Sequence, residues 1–415
     1  MKKVCLMLLI IFIMPCYVYA LNYPKINSKV IEIYDINDDK ILYEIDSKKQ
    51  VPVASLTKIA TVMTAIENID NLDQKVTITK NILKTVDSKA SIAGLKVGDK
   101  VTYKDLLYAA MLPSGMDAVN AIAILSSGSL SKYVEKMNDL VTKLNLSNTH
   151  FVNVNGLDAQ NHYSTCDDIR KLLLYALNNT LFKEIYTTKS YTLTNGLKVK
   201  TTIDMYNKDA KLDVSKILGS KTGYTKKAGY CMASLVNING HDMLVVVLNA
   251  KHEGKYYYNI VDTVNLIKFL NNNYKEEVIV KKDVLIKTIP VMMSNIDSYD
   301  VKTHSEITKY LPSDYNTESV KVIYDGLEHL DYHNKLNEKI GIINYYFDDD
   351  LIYHEDIILN TEIEFNIGKF IQKYYYVFII FFLAILSLIV LFIIIKKQKR
   401  KRLLVDNSDY QIEVL

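Results

Sequence analysis

Cysteine is scarce in this 415-residue chain. Of its four cysteines, Cys5 and Cys16 fall in an apolar leader, which leaves Cys166 and Cys231. Two cysteines exclude a disulfide framework, and both sit in apolar-leaning segments, where buried free thiols are expected. Histidine is also thin, with eight residues scattered along the chain. His329 and His333 are four apart and suit one helix face, but no third ligand of fitting spacing accompanies them. A surface pair is expected there, with no metal and no cofactor. Excess charge is missing as well: the formal net charge is +3, so the total argues neither for nucleic acid nor for acidic partners. Tryptophan is absent while Lys, Ile, Asn and Tyr abound, a compositional bias and not a functional signal. No period of a repeat protein is visible.

The charge that is present is unevenly placed. Six basic residues crowd into Lys396–Arg402, and the stretch from about Asp297 to Glu364 is acid-rich. The N-terminus reads as a signal peptide over residues 1–20. Lys2 and Lys3 are its positive region, Val4 to Ile13 its apolar core, and Val18-Tyr19-Ala20 a small-residue cleavage site. That core is short for an uncleaved anchor. Pro15 stands where a lipoprotein Cys16 would want a small residue. Toward the other end, Val377 to Ile395 carries no charge and is apolar on every face but for Ala384 and Ser387. At this length a helix crosses a bilayer core of about 30 Å. Tyr374, Tyr375 and Tyr376 suit the interface, and the basic cluster pins the tail to the cytoplasm. A transmembrane helix over 374–395 and a basic tail over 396–415 are therefore expected, with the body outside the plasma membrane.

Between these ends two textures alternate. Lys29 to Ile45 alternates in hydropathy and breaks at Asn37-Asp38-Asp39, which predicts a hairpin. Ile59, Val62, Met63 and Ile66 recur at helical spacing, so a helix with one apolar face starts near Ser55. Further helices are expected over Ala118–Leu125, Ser131–Leu144, Asp167–Leu177 and Asp262–Leu270. Gly229–Ile238 and Met243–Leu248 read as strands joined at Asn239-Gly240, a dipeptide suited to a tight hairpin turn. Strands, helices and strands again make an α/β body with an antiparallel sheet, over 21–275. From 276 to 370, short β-rich runs (Val278–Val280, Val284–Ile289, Val320–Ile323, Ile340–Tyr346, Ile357–Leu359) predict a small all-β domain.

Three short motifs carry chemistry. The first is Ser55-Leu56-Thr57-Lys58 at the head of an apolar helix. A serine hydroxyl is a weak nucleophile until a base takes its proton. Residues three apart share a helix face, so Lys58 reaches Ser55. As a base Lys58 needs a lowered pKa, which burial and a second cation would both supply. Alone, the pattern equally describes a serine cap followed by an exposed lysine. The second is Pro113-Ser114-Gly115-Met116-Asp117, in a break between helices; by itself it is also an ordinary turn. The third is Lys221-Thr222-Gly223, entering a strand. Lys221 offers a second cation, Thr222 a hydroxyl for a carboxylate, and Gly223 room for a substrate backbone.

In this order and spacing the three motifs have the layout of penicillin-recognising serine enzymes. Their flanks narrow the likeness. Pro52 to Lys58, Leu112 to Gly115, Gly156-Leu157-Asp158 with His162 to Thr165, and Gly219 to Thr225 leading to Ala228-Gly229-Tyr230 together resemble the serine D-alanyl-D-alanine carboxypeptidases. These are the low-molecular-weight penicillin-binding proteins of peptidase family S11. The resemblance covers about Tyr23–Tyr274, and Lys339-Ile340-Gly341 echoes that family's C-terminal domain. It implies a penicillin-binding/β-lactamase-like serine transpeptidase fold, with a helical subdomain beside the sheet. It implies Ser55 as nucleophile, Lys58 as general base and Ser114 as proton relay. Lys221 and Thr222 would hold a terminal carboxylate, Gly223 would admit the substrate backbone, and the N–H groups of Ser55 and Tyr224 would form an oxyanion hole. Lys251 or Lys255 would add to carboxylate binding. The implied partners are peptidoglycan stem peptides ending in D-Ala-D-Ala, and β-lactams as covalent inhibitors.

One position departs from the pattern: Met116 stands where the family commonly has asparagine, and a thioether donates no hydrogen bond. It is expected to point inward beside Lys58. Two rivals stay open. A class A-type β-lactamase would need a glutamate to activate deacylating water, and neither Glu135 nor Glu184 looks placed for it. A non-catalytic wall-binding protein of the same fold would have Met116 as its only support.

Overall fold

The computed structural model describes residues 24–315 and 319–409, and side chains as far as 401. The expected signal peptide lies outside the described residues. Two compact units emerge: one runs to Lys275 and takes in Tyr310–Ser313, and the other holds Glu276–Lys309 and the chain from Asp314 onward.

The first unit is built on a five-stranded antiparallel sheet. Its order is Lys40–Ile45, Val30–Asp35, His241–Ala250, Gly229–Ile238, Ile217–Thr225. The expected hairpin forms, and its inner strand pairs with the distant His241–Ala250, Val30 opposite Leu248. Asn239 and Gly240 both have positive φ in the turn joining the two long strands. Every residue of Val30–Asp35 is buried, because the sheet is covered on both faces. Period-two alternation divides its side chains. Val30, Tyr34, Leu244, Val246 and Leu248 join the core beneath the helices. Ile31, Ile33, Met243, Val245 and Val247 pack on the other side with Ile260, Val264 and Ile267 of the helix Tyr258–Asn273.

The helical layer surrounds the helix Thr57–Asn68. Sequence periodicity promised one apolar face, but every residue from Thr57 to Ala65 is buried. Its polar residues are therefore paired inside: Thr61 Oγ1 donates to Val154 O at 2.7 Å, and Tyr133 Oη to Thr61 O at 2.7 Å. Tyr103–Met111, Met116–Ser127, Leu130–Lys143, Cys166–Leu177 and Thr180–Thr187 complete the layer. The helix implied ahead of Pro113, for which no bounds were expected, is Tyr103–Met111, and a capping box starts it: Thr102 accepts from Asp105 N–H and Asp105 accepts from Thr102 N–H. Arg170 is the first of only three arginines in the chain. It pairs with buried Glu32 and with Asp167, tying the helix Cys166–Leu177 to the strand Val30–Asp35. Burial pushes the Glu32 carboxyl up despite that partner. Cys166 and Cys231 are buried and free.

The second unit has an all-β core of Ile289, Val301, Ile343, Tyr345 and Ile357 under two three-stranded sheets. The anticipated β-rich runs fall within or beside its strands; Ser298–Lys302 was not anticipated. His329 and His333 flank a short strand, Leu330–Asp331, so the helix face imagined for them is absent, and His333 pairs with Asp331. The closing helix runs Ile367–Asp409, longer than the apolar run alone. Its apolar stretch has a mean hydropathy of 3.5 and is not covered by protein, a length and composition that suit a membrane crossing.

Candidate active site

Ser55 sits on a strained turn. Ala54 has φ +48°, a left-handed conformation unfavourable for any residue with a Cβ, and a 3-10 turn Ala54–Leu56 leads into the helix Thr57–Asn68. Thr57 Oγ1 donates to Ala54 O at 2.8 Å and accepts from His162 Nε2 at 2.9 Å. Val152 N–H donates to His162 Nδ1 at 3.1 Å, which leaves the ring proton on Nε2. Burial lowers the His162 pKa to about 4, so the ring is neutral and this brace persists. Two glycines let backbone close on the turn. A Cβ on Gly156 would come within 1.9 Å of Ala54 O, and one on Gly223 within 2.7 Å of Ser55 N.

Lys58 Nζ lies 2.8 Å from Ser55 Oγ and donates to Asn155 O at 2.9 Å. Burial lowers its pKa to about 7, against an upward pull from Asp117. The second cation acts elsewhere than expected. Lys221 lies well below the usual lysine range, through burial first and the Lys58 charge second. Its Nζ donates to Ser114 Oγ at 3.0 Å and to Thr222 O at 2.7 Å. Ser114, with φ +63°, occupies the break between Tyr103–Met111 and Met116–Ser127. Lys221 lies in mid-strand and not at its entrance, and is wholly buried. Thr222 Oγ1 is 2.6 Å from Thr202 Oγ1.

A cleft of about 510 Å³ opens over these groups, lined by Ser55, Lys58, Ser114, Thr222, Gly223 and Tyr224. Lys221 closes it from behind through Ser114. Lys251 does not join it, and pairs with Glu253; Lys255 lies over the Tyr256 ring. No glutamate lines the cleft among the described residues; Glu184 accepts from Tyr108 Oη instead. Asp35, Asp38 and His241 bring potential ligand atoms within 4.8 Å of one another. Asp35 accepts from the N–H groups of Asn37 and Asp38, bonds that build the hairpin turn, and Asp38 accepts from the distant Tyr310 N–H.

A model of the family described as peptidase S11, D-alanyl-D-alanine carboxypeptidase, matches residues 18–252. The chain belongs to that family. A D-alanyl-D-alanine carboxypeptidase of Streptomyces sp. (strain K15) is 37% identical over 220 residues, 50% of this chain and 75% of that protein. A D-alanyl-D-alanine endopeptidase of Escherichia coli is 29% identical over 246 residues, 56% of this chain and 74% of its own. In fold the chain resembles penicillin binding protein 6B from Escherichia coli, with a TM-score of 0.60 over 81% of this chain and 96% of that one, at 24% identity. The penicillin-binding fold expected from the S11 resemblance is thus the fold found.

Several lining groups of this S11 site were not singled out from sequence. Asp87, Lys89, Ala90 and Ser91 come from a loop far from the motifs, and Asn155 contributes a carbonyl, which no side-chain pattern reveals. Asp117 anchors that loop, accepting from the N–H groups of Ala93, Gly94 and Leu95 at 2.8, 2.9 and 3.0 Å. Met116 lines the cleft, as does Lys58, and its sulfur accepts from Asp87 N–H at 3.2 Å. Asp158 accepts from Thr225 Oγ1 and from Lys227 N–H, joining the Gly156 loop to the end of the Lys221 strand.

Proposed function

We propose that this protein is a serine D-alanyl-D-alanine carboxypeptidase that removes the terminal D-alanine from peptidoglycan stem peptides. One observation carries the reading: a buried lysine with pKa near 7 lies 2.8 Å from a serine hydroxyl. Neutral Lys58 takes the Ser55 proton as Oγ attacks the carbonyl between the two D-alanines. The N–H groups of Ser55 and Tyr224 stabilise the oxyanion. Ser114, tied to Lys221, passes a proton to the leaving amine, and D-alanine departs. Water then cleaves the Ser55 ester. Thr222, which lines the cleft with Lys221 buried behind it, receives the free carboxylate, which favours carboxypeptidase over endopeptidase action. A β-lactam acylates the same Ser55.

In this reading residues 1–20 are a signal peptide, 21–275 the catalytic domain and 276–370 a spacer. The helix over 374–395 anchors the protein in the plasma membrane. The body lies outside, and the basic tail from Lys396 inside.

Fluorescent penicillin tests the assignment. Covalent label should appear on the protein and be lost in Ser55→Ala while that variant stays folded. A label that persists at another residue overturns Ser55. An adduct lost within seconds would favour the β-lactamase rival, whereas the carboxypeptidase reading predicts a long-lived one.

A further inference from the structure

The closing helix leaves the all-β unit without a linker. It begins at Ile367. The residues just ahead of it are bonded into the unit: Asn366 N–H donates to Met293 O at 2.9 Å, and Asn295 N–H to Glu364 O at 2.9 Å. Lys369, in the first turn of the helix, pairs with Asp297 at 2.7 Å. A chain of rings covers the same junction. Tyr332 meets Phe365 edge-on at 4.8 Å between centroids. Phe365 lies 5.6 Å from Phe370, and Phe370 lies 5.0 Å from Tyr374. The exposed His333 ring sits 4.0 Å from Tyr332. Rings therefore run unbroken from the loop after the short strand Leu330–Asp331 to the aromatic edge of the apolar run.

Helix geometry sets how far this end of the unit can stand from a bilayer. At 1.5 Å per residue, Phe370 is about 10 Å along the helix from Val377, where the uncharged run begins. The headgroup layer on each side of a bilayer is roughly 5–8 Å deep. Phe370 and the Phe365 ring against it thus reach the headgroups, and a helix tilt of the usual size brings one side nearer still. The surface there is apolar: Phe365 is 46% exposed and Leu336 49%. Leu336 belongs to the same end, since Asn337 N–H donates to Leu359 O at 2.8 Å, in the segment that leads to the helix. Half-exposed rings suit an interface that is apolar on one side and wet on the other. Exposed Glu362 and Glu364 border the patch, so rings and not charge carry the contact.

We propose that this end of the all-β unit, with Tyr332, His333, Leu336 and Phe365, rests in the lipid headgroups of the leaflet the helix enters. That second contact fixes the unit on the membrane and holds the turn at residues 348–350 away from it. The proposal rests on the membrane-anchor reading above. The chain has no tryptophan, so one introduced indole reports its own position alone. Tyr332→Trp and His333→Trp place it in the patch. Leu351→Trp places it at the far end of the strand Asp350–Ile358, where Leu351 is 53% exposed. That site is roughly 23 Å along the strand from Ile358. Phe382→Trp places it inside the apolar run. Each full-length variant is reconstituted into phosphatidylcholine vesicles that carry a nitroxide on the headgroup or bromine on the acyl chains. The headgroup nitroxide should quench Tyr332→Trp and His333→Trp strongly and Leu351→Trp hardly at all, and the brominated chains should quench Phe382→Trp. Unquenched Tyr332→Trp and His333→Trp beside a quenched Phe382→Trp would leave the anchor standing and overturn the proposal. Equal quenching at Leu351→Trp would overturn it too, since the unit would then have no preferred end. If the brominated chains do not reach Phe382→Trp, the anchor reading itself fails, and this one with it.

Discussion

Gly156 stands so close to Ala54 that an added Cβ would lie 1.9 Å from the Ala54 carbonyl oxygen. The same loop offers Asn155 O to Lys58, so one segment props both the nucleophile turn and the base. Gly156 also has φ +86°. In Gly156→Ala, backbone strain of about 1–3 kcal/mol adds to the clash, and the turn must move. Penicillin acylation should fall at least about tenfold, because displacements of this order at a reacting centre cost that much or more. Stopped-flow acylation and thermal melting on the same variant check this. Wild-type acylation in that variant would mean the turn is not held from this side.

Lys58 sets the pH dependence. Its pKa of about 7 lies below the ordinary 10.5. The free amine, the form that accepts a proton, gains with pH up to about 7 and then saturates. Acylation kcat/KM should therefore rise tenfold per unit on the acid side and level off above about 7. The unfolded chain binds the extra proton between about 7 and 10.5, so the stability contribution of this group rises with pH across that window. A profile flat from pH 5.5 to 9 would remove Lys58 as the base.

Asp117 joins loop and base. Its buried carboxylate accepts three N–H groups from Ala93–Leu95 and raises the Lys58 pKa by its charge. Asp117→Asn turns one acceptor oxygen into a donor that faces other donors. It should cost at least about 2 kcal/mol of stability. Limited proteolysis should cut within residues 85–98, and the acid limb of the acylation profile should shift to lower pH. A limb that stays in place would show that Asp117 does not act on Lys58.

Met116→Asn should raise kcat/KM on peptide a few-fold. The Met116 sulfur takes the Asp87 N–H. An asparagine Oδ1 stands the same number of bonds from the backbone and can take over that bond. Its amide adds a donor toward the cleft, and one net hydrogen bond is worth about 0.5–1.5 kcal/mol. Melting should change little. Lost activity together with a lower melting temperature would mean the site has adapted to the thioether.

What could be read in advance follows from what chemistry and periodicity record. Ser55, Lys58, Ser114 and Lys221 were singled out because the order of their motifs resembles the S11 layout, and hydrogen bonds join Ser55 to Lys58 and Ser114 to Lys221. The strand holding Lys221 was harder, since Gly219 to Thr225 is polar and glycine-containing; it is held by its neighbours and not by a hydropathy pattern. The loop with Asp87 and Ser91 enters the cleft through backbone bonds to Asp117, which leave no trace in residue types. The assignment of Tyr310–Ser313 to the first unit is likewise a long-range event, invisible to any local window. The helix Thr57–Asn68 looked half-exposed because Thr57, Lys58, Thr61 and Thr64 are polar, yet these side chains lie buried in the structure.

D-alanine release from a peptide ending in D-Ala-D-Ala, measured on detergent-solubilised wild type and Ser55→Ala side by side, tests the central claim most directly. The account predicts free D-alanine from the wild type, with the peptide shortened by one residue, and none above background from Ser55→Ala. Release that continues unchanged in a folded Ser55→Ala protein, or no release from a wild type that binds penicillin, would contradict it.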